Sequence, residues 1–85
     1  MTRTSTYVSV PGERFYGIGV AVKLLRTALG FSQRQLAAAI GNVPRTYISK
    51  IEQHRATPNL SSIERFANIF GITPYGLIRI AEEIQ

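Results

Sequence analysis

An all-α fold of five short helices is what this 85-residue sequence predicts. Three observations lead there. Apolar residues recur at helical rather than alternating spacing in each segment between Ile18 and Ile84. Start signals (Ser32, Asn59, Thr73) and stop signals (Gly30, Gly41, Gly71) bracket those segments. What is left between them is short, with no linker, internal repeat or low-complexity tract. Such a pattern describes one compact domain with one modest core.

Residues 1–16 read as an N-terminal arm and residues 17–85 as the domain. Met1 to Ser9 is polar, with Arg3 as its only charge. Tyr7, Val8 and Val10 suit a short strand, too short to fold alone. Arg3 could serve a basic arm in a minor groove, a role one charge supports weakly. Pro11 and Gly12 punctuate the chain, and Gly17 and Gly19 are poor helix formers. The first helix is then expected from about Ile18 to Leu29, with Ile18, Val22, Leu25 and Leu29 as its apolar stripe and Gly30 as its C-cap. Arg26 borders that stripe, and Glu52 borders Ile48 and Ile51 in the same way. Two opposite charges at core margins predict a partly buried, structural ion pair between the first and third helices.

The stretch Ser32 to Glu52 organises the chain. Ser32 and Gln35 form a capping box for the second helix, and Leu36, Ala37 and Ile40 share its inner face. Gly41 stops it, Asn42 and Pro44 mark a turn, and a third helix follows at about 44–53. There Ile48 and Ile51 face inward while Thr46, Ser49, Lys50 and Gln53 line the outside. A short helix gains little from such a hydrogen-bonding stripe unless something outside the chain reads it. Two helices joined in this way, the second with a polar and basic outer face, are what a DNA major groove accepts.

Beyond Glu52 a loop carries His54, Arg55 and Pro58. His54 has no second ligand at metal spacing, so no metal site is expected; it suits an awkward helix exit instead. Asn59 caps a fourth helix with Leu60, Ile63, Phe66, Ala67 and Phe70 inward. Thr73 and Pro74 open a fifth, whose apolar residues are Leu77, Ile80, Ala81 and Ile84. Ile80 and Ile84 run past what closing the core needs. With Leu77 they are the candidate contact between two copies in a homodimer.

Composition narrows the function. Ten Lys and Arg against five Asp and Glu give a net charge of +5, which suits a polyanionic partner. There is no cysteine for a disulfide or a thiolate metal site. No apolar run approaches the roughly 18 residues of a membrane helix, and no signal-peptide pattern opens the chain, so a soluble, cytoplasmic protein without membrane contact is expected. One His and the adjoining Glu82 and Glu83 offer no catalytic arrangement, so no enzyme, cofactor or small-molecule ligand is expected. RNA modules would show stacking aromatics that are missing here. A protein-interaction module, such as an antitoxin or accessory subunit with secondary DNA binding, is the alternative. It would be expected to show apolar or aromatic anchors on the third helix.

The series Arg26, Gly30, Phe31-Ser32-Gln33, Leu36-Ala37, Gly41, Ile48-Ser49-Lys50-Ile51-Glu52, Pro58, Ala67, Gly71-Ile72 and Leu77 resembles the Cro/lambda-repressor, or xenobiotic response element (XRE), type of helix-turn-helix regulator. The resemblance covers nearly all of Ile18 to Leu77. It implies a five-helix domain, a homodimer on a double-stranded DNA operator with inverted-repeat symmetry, transcriptional control as a repressor or autoregulator, and association with a bacterial or phage nucleoid. It also implies that Arg26 and Glu52 pair structurally.

Two departures from the family pattern stand out. One extra residue falls within Gly41-Asn42-Val43-Pro44, and His54 stands where the family often has glycine. Counted back from Glu52, the family's base-reading positions fall on Arg45, Thr46, Ser49 and Lys50. Counting forward from Gly41 would bury Tyr47 and Lys50 where Ile48 and Ile51 belong. Arg45 suits guanine, Thr46 and Ser49 suit short contacts, and Lys50 suits a guanine or a phosphate. Gln33 and Arg34 open the second helix, where free N–H groups favour a phosphate. Tyr47 and Arg55 complete the expected backbone contacts, Tyr47 having the other option of covering the groove between helices.

Overall fold

The computed structural model describes residues 17–84. The arm at 1–16, with the candidate strand at Tyr7 to Val10 and the charge on Arg3, lies outside the described residues. Five helices follow in order: α1 (Gly17–Ala28), α2 (Gln33–Ala39), α3 (Arg45–Glu52), α4 (Leu60–Phe70) and α5 (Pro74–Ile84). No strand occurs among the described residues, and no helix there is long and apolar enough to cross a membrane.

Local chemistry sets the starts. Ser32 Oγ accepts from the Gln35 N–H at 3.0 Å while the Gln35 side chain accepts from the Ser32 N–H at 2.8 Å, so the capping box forms. Asn59 Oδ1 accepts from the Ser62 N–H at 2.8 Å and Thr73 Oγ1 from the Gly76 N–H at 2.9 Å, capping α4 and α5. Pro44 stands just before α3 in extended conformation, its fixed φ of −64° leading into the helix.

Three helices end alike. The N–H groups of Phe31, Arg55 and Ile72 each bond to a carbonyl five residues back, on Arg26, Lys50 and Ala67. The residue before each lies in the left-handed region: Gly30 at φ 83°, His54 at φ 65° and Gly71 at φ 76°. His54 takes this conformation at some steric cost that glycine would not meet. The end of α2 is different. Val43 N–H reaches Ala37 O, six residues back, and two positive-φ residues, Gly41 at 131° and Asn42 at 59°, fill the turn. This wider closure spans Gly41-Asn42-Val43-Pro44, the stretch where the resemblance implies one extra residue.

The core is built from Val22, Leu36, Ile48, Ile51, Phe66 and Leu77, all fully buried. α5 packs chiefly on α1 and α4, and α2 on α3. Phe66 and Phe70 stack with ring centroids 6.1 Å apart. Closeness of α1 to α3 explains a departure from local propensity. Gly19 lies inside α1, where a Cβ would collide with the Ile51 carbonyl oxygen. Tight packing there outweighs the loss of helix propensity, about 1 kcal/mol for a glycine.

Three apolar placements differ from the pattern reading. Leu29 is 52% exposed, because α1 stops at Ala28 and Gly30 turns the chain away; Arg26 takes the buried place on that last turn. Leu60, the first residue of α4, lies 64% exposed at the rim. Leu77 is 0% exposed, filling the core one turn before Ala81, so it presents no surface to a second copy. Ile80 and Ile84 remain half-buried and pack against the same core.

Candidate nucleic-acid interface

Burial of Ile48 and Ile51 fixes how α3 is rotated. Both are fully buried, Lys50 is exposed and Tyr47 half-buried, which matches the register counted back from Glu52. Arg45, Thr46 and Lys50 are therefore exposed together, with half-buried Ser49 between them. Ser49 Oγ accepts from Gln53 Nε2 at 2.9 Å, one turn on. Arg34 is exposed in the first turn of α2 and Arg55 just after α3.

Beneath this face lies a relay of hydrogen bonds. Arg26 Nε donates to Glu52 Oε2 at 2.7 Å and Nη2 to Oε1 at 3.1 Å, a two-pronged pair that ties α1 to α3. The side chains are only 11% and 4% exposed. Arg26 Nη1 also donates to Phe31 O at 2.8 Å, holding the α1–α2 connection. Glu52 Oε1 accepts in addition from Gln33 Nε2 at 2.9 Å. Gln33 Oε1 in turn accepts from Arg45 Nη1 at 3.1 Å. The chain Arg26–Glu52–Gln33–Arg45 thus runs from the core margin to the outer face of α3. Gln33, expected at a phosphate, ties α2 to α3 through its amide, a bridge that no local spacing signals.

Tyr47, beside this face, has a partner on α4. Its hydroxyl donates to Ser62 Oγ on α4 at 2.9 Å, and its half-buried ring packs against the core. Ser62 was not foreseen as its partner, since the two positions are 15 residues apart and nothing local links them.

The electrostatics of the face are one-sided. Between Ser32 and Thr57 the only carboxylate is Glu52, and Arg26 neutralises it. Arg34, Arg45, Lys50 and Arg55 carry the positive charge that remains. The other carboxylates among the described residues, Glu64, Glu82 and Glu83, all lie on α4 and α5. A helix of about 10–12 Å diameter fits a major groove about 12 Å wide, and short side chains flanked by cations suit base edges flanked by phosphates.

A family model described as helix-turn-helix matches residues 22–77. The chain belongs to the helix-turn-helix family of the Cro/lambda-repressor, or XRE, type. Members of this family are DNA-binding transcription regulators and not typically enzymes. A curated relative, the Neisseria hypothetical transcription factor of Neisseria meningitidis serogroup B, is 37% identical over 62 residues, 73% of this chain and 58% of that protein. The helix-turn-helix chain thus spans somewhat under three-fifths of that relative's length. The crystal structure of the hypothetical transcription factor NHTF from Neisseria matches with a TM-score of 0.69 at 32% identity, covering 82% of this chain and 84% of the other. That of the clp gene regulator ClgR from Corynebacterium glutamicum gives a TM-score of 0.77 at 21% identity, covering 87% and 79%. The latter likeness is one of fold.

Proposed function

We propose that this helix-turn-helix protein is a sequence-specific regulator, a repressor or autoregulator, that binds a two-fold operator as a homodimer. In this reading α3 enters the major groove. Arg45, Thr46, Ser49 and Lys50 meet base edges, while Arg34 and Arg55 meet phosphates. Gln33 serves chiefly by holding Arg45. The observation that carries the reading is the Arg45–Gln33 bond at 3.1 Å on a face without an unpaired carboxylate among the described residues. An arginine held by a neutral partner keeps its full charge and its fork for a guanine, whereas a carboxylate partner would compete with the DNA.

Selection from a pool of randomised duplexes tests this directly. Enrichment of an inverted repeat with half-sites about 10 base pairs apart is the expected result. A pool that stays random after several rounds would sink the reading.

Assembly is tested separately. Ile80 and Ile84, half-buried along the half of α5 beyond Leu77 as Ile78 also is, are the candidate contact with a second copy. Changing both to Asp is expected to give a monomer by sedimentation, with the helical circular dichroism of the parent retained. A folded variant that still sediments as a dimer would move the interface elsewhere.

A further inference from the structure

The widened turn after α2 has a tie of its own. Arg65 on α4 donates from Nη1 to Ile40 O at 3.2 Å, at the carbonyl end of α2. The same guanidinium stands 2.8 Å from the place a Cβ on Gly41 would occupy. At φ 131° Gly41 has the backbone freedom this turn uses, and the missing side chain is what admits Arg65. One helical turn earlier on α4, Ser62 accepts the Tyr47 hydroxyl of α3. Residues three apart share a helix face, so one face of α4 grips the end of α2 through Arg65 and the side of α3 through Ser62.

From this placement we propose that Arg65 is a positioning residue for base recognition: it fixes the lengthened α2–α3 turn and so sets the angle at which α3 presents Arg45. Two properties suit it to the task. Its charge complements the negative end of α2, and its planar fork fixes direction where a flexible ammonium would not. A turn with two positive-φ residues in succession has several ways to set the following helix, and a bond from a third helix removes that freedom. The role rests on α3 reading DNA as proposed above.

The test uses the duplex enriched by the parent protein and a scrambled duplex of the same composition, titrated at one salt concentration, with thermal melts alongside. Arg65 is exposed, so Arg65→Met leaves the core intact. The ratio of affinities for the two duplexes is expected to fall by about tenfold, the scale of one poorly aimed base contact. Arg65→Lys, which keeps a donor and the charge, is expected to recover part of that ratio. Ser62→Ala removes the second tie, leaves the backbone cap on Asn59, and is expected to lower the ratio in the same direction.

An unchanged ratio in Arg65→Met overturns the proposal, whether or not the melting temperature falls. Equal weakening on both duplexes, recovered by Lys, overturns it too, because Arg65 would then be a phosphate contact. If the parent shows no preference between duplexes, base reading by α3 fails first and the role of Arg65 falls with it.

Discussion

Arg26→Ala is expected to lower stability by about 3–5 kcal/mol, the range for removing one partner of a buried ion pair. The cause is what remains rather than what is lost. Glu52 would be left without its cation at 4% side-chain exposure, with only the neutral Gln33 amide left of its side-chain partners. Phe31 O would also lose the bond that fixes the α1–α2 connection. In a domain whose whole stability is of the order of 5–15 kcal/mol, that is a large fraction. The melting temperature should fall by roughly 15–30 °C, as each kcal/mol is worth several degrees at this size. Replacing both partners by apolar residues, Arg26→Met with Glu52→Leu, should cost less than Arg26→Ala alone, because no buried charge is then left unpaired. A melt of Arg26→Ala within a few degrees of the parent would remove the pair from the list of what holds α1 to α3. If such a variant also lost DNA affinity, Arg26 would be a DNA contact.

Arg45→Ala is expected to cost about 1–3 kcal/mol on the selected duplex and to relax the preference at one base pair in each half-site, a G·C pair. Arg45 is the only guanidinium on α3 and stands at its first residue, the end that points at base edges in this docking geometry. Binding to a scrambled duplex should fall much less, by little more than the share of one positive charge. Gln33→Ala makes the informative companion. A Gln33 that merely touched a phosphate would lose equally on both duplexes when changed. As the holder of Arg45, its loss should fall mainly on the selected duplex, at the same base pair. Equal losses on both duplexes for Arg45→Ala would show that Arg45 grips the backbone, and base reading would pass to Thr46, Ser49 and Lys50.

Most of the fold was legible because helix ends are written locally. The Ser32–Gln35 box, the Asn59 and Thr73 caps, and the Gly30 and Gly71 exits each involve residues within five positions of one another. The Arg26–Glu52 pair was legible from helical phase alone, since each charge bordered an apolar stripe. What escaped depended on contacts between helices. Gly19 belongs inside α1 only because Ile51 O is close, and Leu77 is buried only because α5 lies flat on α1. The bridging amide of Gln33, the Ser62 acceptor and the Arg65 donor span 12 to 25 residues, distances over which sequence spacing carries no phase. The proposed reading residues came from the family resemblance, with the inward rotation of Ile48 and Ile51 choosing between two counts; that rotation leaves the other side of α3 exposed.

The relay from Arg26 to Arg45 also divides the interface by how freely it can change over generations. Thr46 and Lys50 hold no side-chain partner among the described residues, so in the proposed reading substitution there is expected to alter which operator is favoured with little effect on folding. Arg45 is one step less free, because replacing it strips the Gln33 carbonyl of its donor. Glu52 is least free, since any replacement that cannot serve Arg26 and Gln33 together loosens the domain before a new operator is tried. Descendants with altered targets should therefore diverge first at positions 46 and 50, and at 33 and 45 only as a matched pair.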